Sequence, residues 1–160
     1  MIGLEAMTSQ EFEESLRSAI ARRADDQVQH RIWSNAVASE TSRREYAQLL
    51  PEGRDTPHFH FCKVIVAETG QRVGETWYSV EEKGGRIQFW LHWLWIDPSH
   101  RRRGYATQVF ALLEQVARMK GADRVGLSVA ADNRDALALY AKLGLQTTNM
   151  RMAKWLFGPP

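Results

Sequence analysis

The sequence predicts one mixed α/β domain, and three observations carry that expectation. The first third shows helical periodicity, the middle holds aromatic and β-branched runs divided by short turns, and the end alternates strand, helix, strand and helix. With 160 residues, 44% of them hydrophobic and 25% charged, the chain has enough apolar mass for a single core, so the expected domain spans 1–160.

Thr8-x-x-Glu11 has the form of a capping box, and Phe12, Leu16, Ala19 and Ile20 then recur on one helix face. A second helix is expected over Ala38 to Leu50. Gly53, Asp55 and Thr56, between Pro51 and Pro57, make a loop, after which the pattern becomes extended. His58 to Ala67 reads as a strand, Glu68-Thr69-Gly70 as a turn and Arg72 to Val80 as the returning strand of a hairpin. Lys83-Gly84-Gly85 supplies the next turn, and Arg86 to Ile96 is a long strand carrying Trp90, Trp93 and Trp95, ended by Asp97-Pro98. Gly104 to Lys120 places Val109, Leu112, Leu113, Val116 and Met119 on one face of an amphipathic helix that Gly121 closes. A short strand, Arg124 to Val129, follows. Asp132 is expected to cap a helix that runs through Leu143, with Ala136, Leu139, Tyr140 and Leu143 at i, i+3, i+4 and i+7, and Gly144 stops it. Leu145 to Phe157 is read as a last strand.

Composition excludes several classes. There is no run of 18 apolar residues and no basic-then-apolar leader after Met1, so the expectation is a soluble cytoplasmic protein without a membrane partner. The single cysteine, Cys62, forms no internal disulfide, and no His/Cys cluster has metal-ligand spacing, so no metal is expected. His58 and His60 alternate on one strand without a third ligand and are read as the wall of a substrate pocket. A net charge of +2 is too small for a nucleic-acid-binding protein, although it leaves room for one basic patch.

That patch is Arg101-Arg102-Arg103-Gly104-Tyr105-Ala106-Thr107, which joins the end of a strand to the start of a helix. The first N–H groups of a helix have no internal acceptor and the dipole there is positive, so an anion satisfies them, while Gly104 and Ala106 allow close approach to the backbone. Three arginines add charge-assisted contacts. A solvated basic turn, or one touching a nucleic-acid backbone, has the same composition, so these residues alone leave the ligand open.

The spacing Arg101-x-x-Gly104-x-Ala106 resembles the R/Q-x-x-G-x-G/A signature of the GNAT superfamily of N-acetyltransferases. Ile96-x-Pro98 is similar to the strand ending that precedes it, and Asn133-x-x-Ala136-x-x-Leu139-Tyr140-x-x-Leu143-Gly144-Leu145 resembles a second motif of that superfamily. The resemblance covers about Val64 to Leu156. Two positions depart from the pattern: Ala106 stands where a second glycine is common, and Leu145 where phenylalanine is usual. The helix opening Thr8-x-x-Glu11-Phe12 and the segment Leu49-Leu50-Pro51-x-Gly53-x-x-Thr56-Pro57-His58-x-His60 are similar to a smaller bacterial subgroup.

The resemblance implies a GNAT fold: a mostly antiparallel twisted sheet of six or seven strands, flanked by about four helices, with two strands splayed to form an acetyl-CoA cleft. It implies that the backbone of Arg102 to Thr107 holds the coenzyme A pyrophosphate, and that Leu94, Trp95 and Ile96 pair with the pantetheine arm. Asn133 and Ala136 would approach that arm from the other side, with Arg101, Arg103, Gly104, Tyr105 and Ala106 completing the donor site. Tyr140 occupies the general-acid position, and a backbone N–H near Trp95 or Ile96 is the oxyanion donor. For the base, His92 lies four residues before Ile96, so a regular strand would project it from the same face as Leu94 and Ile96. Glu75, among aromatic residues, is the competing carboxylate. The implied reaction is acetyl transfer from acetyl-CoA to a primary amine of a small molecule, protein or peptide, by a monomer or homodimer. An inactive coenzyme A-binding sensor is the alternative. Acceptor pockets in this fold draw on the N-terminal helices and loops, here Phe12 to Pro57. Trp33, Trp77, Trp90, Trp93 and Trp95 are read mainly as core.

Overall fold

The computed structural model describes residues 1–157. In chain order the elements are β1 (Ile2–Ala6), α1 (Ser9–Gln29), α2 (Asn35–Leu49), β2 (Phe59–Val66), β3 (Arg72–Lys83), β4 (Arg86–Ile96), α3 (Tyr105–Met119), β5 (Val125–Leu127) and α4 (Arg134–Lys142). They group into two compact units, one of Met1–Met7 with Pro57–Gln146 and the other of Thr8–Thr56 with residues 147–157.

The first unit is a five-stranded sheet in the order β1-β2-β3-β4-β5, antiparallel except for the parallel β4–β5 pair. Its core lies between one sheet face and α3. Val109, Phe110, Leu113 and Ala117 of α3 cluster with Val64, Tyr78, Phe89, Leu91 and Ile96, and burial of such side chains contributes about 1.5–3 kcal/mol each.

Leu91 and Ile96 sit an odd number of residues apart, yet both belong to this core, which a regular strand forbids. The reason is a β-bulge: Trp77 pairs with Trp93 and Tyr78 with Leu91, so His92 is the extra residue of β4. The bulge shifts the alternation. Phe89, Leu91, Leu94 and Ile96 face α3, whereas His92 contacts Ser79 and Phe59 on the opposite face, with Trp77, Trp93 and Trp95. The expectation that His92 shares a face with Leu94 and Ile96 is therefore overturned. A second bulge, at Val73, lies between the Val64–Gly74 and Ile65–Arg72 pairs.

In the second unit α1 opens with the expected capping box, Thr8 accepting from the Glu11 N–H while Glu11 accepts from the Thr8 N–H. Buried Ser42 of α2 donates to the Ile20 carbonyl at 2.8 Å. The Arg23 guanidinium lies over Trp33 and bonds Glu45 at 3.0 Å.

Four expectations need correction. The sheet has five strands among the described residues, not six or seven. Residues 145–157 form no strand. Met150, Met152, Leu156 and Phe157 stay exposed there, and a strand pattern without a ladder to join has no partner for its backbone groups. The strand β1 was not expected, because five residues containing a glycine carry little local signal. Its ladder to β2, from Ile2–Val66 to Ala6–Cys62, is what defines it. Finally, α4 is capped by Asn133 rather than Asp132, its Oδ1 accepting from the Ala136 N–H at 3.2 Å.

Candidate active site

The strand–turn–helix connection after β4 leaves a row of backbone donors without acceptors. Gly104 has φ +78°, a conformation that glycine adopts without strain, and a Cβ placed on it would meet nothing within 4 Å. The first helical bond of α3 runs from the Gln108 N–H to the Gly104 carbonyl, and no side chain caps the helix. The N–H groups of Tyr105, Ala106 and Thr107 consequently have no helical acceptor.

The three arginines behave differently from one another. Arg101 is a clip: its Nε donates to the Ile96 carbonyl at 2.9 Å, and its guanidinium lies 4.4 Å from the centre of the Trp95 ring. Arg103 donates to the Ser99 carbonyl at 3.4 Å. Arg102, at φ +61°, lies 4.0 Å from Asp135 at the start of α4, an exposed pair that contributes little.

Beside this turn the sheet opens. β5 pairs with β4 only through Phe89–Val125, Trp90–Gly126 and Leu91–Leu127, so the rest of β4, from His92 to Ile96, has a ladder to β3 alone. The Asp97 N–H bonds the Val73 carbonyl on the β3 side at 2.9 Å. Successive strand N–H groups alternate in direction, so those of Leu94 and Ile96 turn to the open edge while that of Trp95 faces β3. The β3 side is drawn close, since a Cβ on Gly74 would overlap the Trp95 carbonyl oxygen.

The candidate acid and bases stand on opposite faces of the sheet. Tyr140 of α4 packs on the α3 side, its ring centre 6.1 Å from that of Phe110, and burial raises its phenol above the ordinary value. His92, on the other face, pairs Nε2 with the Ser79 hydroxyl at 2.8 Å and packs its tilted ring against Phe59, with ring centres 4.7 Å apart. Its burial lowers the imidazole to about 4, against an opposing effect of Glu81, so His92 is neutral at pH 7. Glu75 is buried on the His92 side, one oxygen accepting from Arg72 at 2.6 Å and the other from the Trp93 indole at 2.9 Å. Beyond the Leu91–Leu127 pair β4 and β5 share no ladder. His60, in contrast, stacks on Tyr78 at 4.8 Å on the α3 side, and His58 precedes β2.

Several residues escaped sequence reasoning. Ser79, which holds His92, and the row Ser79, Glu81, Lys83 were visible only as alternation along a strand. With Gln88, Trp90 and His92 they line an open groove of about 240 Å³. Gly126 leaves room for the Trp90 indole, because a Cβ there would come within 2.6 Å of two ring carbons. Among the described residues no cluster of three or more His, Cys, Asp or Glu side chains has the geometry to hold a metal ion, and no helix is long and apolar enough to cross a membrane.

Comparison with known proteins identifies a family. The model of the acetyltransferase (GNAT) family matches residues 23–145. The uncharacterised N-acetyltransferases YdgE and YycN of Bacillus subtilis (strain 168) are each 31% identical to this chain, the first over 96% of the chain and 97% of its own length, the second over 97% and 99%. The crystal structure of YycN superimposes with a TM-score of 0.91 at 30% identity, covering 99% of this chain and 100% of that one. On the family match, on these relatives and on the shared fold, the chain belongs to the acetyltransferase (GNAT) family.

Proposed function

We propose that the protein transfers the acetyl group of acetyl-CoA to a primary amine. The observation that carries this reading is the juxtaposition of two unsatisfied sets of backbone donors: the first N–H groups of α3, and the open edge of β4 from His92 to Ile96. The first set suits a pyrophosphate, and the second suits an extended, amide-bearing arm that adds to a sheet edge. In this reading Tyr105, Ala106 and Thr107 hold the phosphates, with Arg102, Arg103 and Gly104 at the turn. Leu94 and Ile96 pair with the arm, and Trp95 supports it by seating Arg101. The Asn133 carbonyl oxygen caps α4 through the Ala136 N–H, so its NH₂ group is the part that donates to the arm.

Bound acetyl-CoA supplies a thioester carbonyl. The residues then divide three tasks. His92, neutral at pH 7 and fixed by Ser79, takes the proton that the amine nitrogen loses as its bond to the carbonyl carbon forms. The Leu94 or Ile96 N–H donates to the carbonyl oxygen as it gains charge. Tyr140, kept protonated by burial, gives its proton to the sulfur as the carbon–sulfur bond breaks. Glu75, already held by Arg72 and Trp93, orders the wall beside His92 and serves as the second candidate base through an intervening water.

Calorimetric titration with acetyl-CoA, followed by a thiol-release screen against amines, tests the proposal. Binding together with amine-dependent release is expected. Binding without release from any amine would leave a coenzyme A sensor, and absence of binding would remove the donor site altogether.

A further inference from the structure

The groove beside the splay has an ordered polarity that the acetyl-transfer chemistry does not require. Ser79, Glu81 and Lys83 alternate along β3 and so rise from one face at intervals of roughly 6.7 Å. Gln88, Trp90 and His92 of β4 form the facing wall. The inner end, at Ser79 and His92, is neutral and abuts the last β4–β5 pair, Leu91–Leu127. One step outward lies a carboxylate and two steps outward an ammonium. Both are exposed, and neither has an ion-pair partner among the described residues.

Trp90 stands opposite Ser79 in the β3–β4 ladder and lines the groove. Its indole lies across Gly126, where a side chain would collide with it, and it remains 38% exposed. An aromatic face next to a neutral pocket suits a methylene chain, while paired opposite charges at the mouth suit a zwitterion.

We propose that this groove is the acceptor subsite and that it is built for a diamino carboxylic acid, with the terminal amine at His92 and Ser79 and the amino-acid head at Glu81 and Lys83. This deepens the acetyl-transfer reading and rests on it. The spacing fits: four methylenes reach roughly 6 Å, about one step of the Ser79–Glu81–Lys83 row. The charge order fits as well. A carboxylate in direct contact with the reacting nitrogen would hold it as an unreactive ammonium, whereas Glu81, one step out, meets the α-ammonium, and Lys83 meets the α-carboxylate. A plain diamine leaves Lys83 facing a second cation, and an ω-amino acid leaves Glu81 without its partner.

The test compares L-lysine, cadaverine, which lacks the carboxylate, and 6-aminohexanoate, which lacks the α-amine, as acceptors at saturating acetyl-CoA. Lysine should show a KM lower than either analogue by about tenfold, with similar kcat. Lys83→Met should erase the advantage of lysine over cadaverine, and Glu81→Gln its advantage over 6-aminohexanoate. Acetyl-CoA affinity should be unchanged in both variants, which also reports that each has folded. Equal KM values for the three amines, or variants that leave the preference intact, would overturn the proposal. Titration of lysine into the protein alone separates the two readings. Lysine binding that both variants weaken, with no acetyl-CoA binding, would keep the subsite and remove the donor site; acetyl-CoA binding with neither lysine binding nor turnover would remove the subsite only.

Discussion

The two halves of β4 are made of similar residues and do opposite things. From Arg86 to Leu91 the strand is paired with β3 and then gains β5, with Phe89 and Leu91 locked into the core. From His92 onward it keeps β3 alone, and one bulged residue marks the change. The difference teaches where specificity resides. The open half and the α3 turn offer N–H groups, which any residue except proline supplies, so the proposed donor end depends on backbone conformation more than on side-chain identity. The closed half offers the side chains of Gln88 and Trp90 to the groove, where the bulged His92 joins them, so the proposed acceptor end depends on which residues those are.

The strongest way to break this contrast is to spoil the backbone at the donor end. Gly104→Val forces a β-branched residue into φ +78° at a position with open space around it, so the protein should fold while the turn distorts and the approach to the α3 N–H groups is blocked. Acetyl-CoA affinity should fall by about a hundredfold or more, the equivalent of losing two charge-assisted hydrogen bonds. Calorimetry reads this directly. A variant that retains tight binding would show that the turn is not the phosphate site.

Tyr140→Phe sharpens the comparison from the chemical side. The ring keeps its packing on Phe110, so acetyl-CoA binding should be nearly unchanged, while kcat falls by about a hundredfold if the phenol protonates the leaving sulfur. Full turnover in the variant would remove Tyr140 from the mechanism. Gly126→Ala acts at the other end and more gently. The added methyl pushes on the Trp90 ring, which is partly exposed and able to move, so the acceptor KM should rise about threefold to tenfold while acetyl-CoA affinity holds. A matching loss of donor affinity would mean that the two ends are not separable.

The same contrast explains what was legible in the sequence. The turn from Arg101 to Thr107 could be read because its chemistry is local: a glycine, three arginines and a helix start within seven residues. The capping box at Thr8 and Glu11 was legible for the same reason. The face of His92 was not, because it depends on how many residues of β3 and β4 are paired before the bulge, and pairing is a property of two strands together. The short β1 and the unformed strand after Gly144 failed alike, since a ladder partner decides both. The groove lay between these cases. Ser79, Glu81 and Lys83 were visible as a period of two, yet nothing local brought Trp90 and His92 opposite them.

The smallest expected effect concerns His92 and reads the inner end of the groove without any ligand. Burial lowers its folded-state value to about 4, below the ordinary 6.5, so the folded protein binds fewer protons than the unfolded chain between those values. The contribution to stability is therefore present above about pH 6.5 and is lost as pH falls through about 4. Because the ring is partly open to solvent, the loss should be on the order of 1–2 kcal/mol, or roughly 3–6 °C in melting temperature. His92→Gln keeps a polar group near the Ser79 hydroxyl without a titrating proton, and its melting temperature should drop by that much less than the wild type's between pH 7.5 and pH 4.5. Parallel melting curves for the two proteins would mean that His92 titrates as it does in water. The inner end of the groove would then be wet, and burial would not be what keeps the imidazole neutral at pH 7.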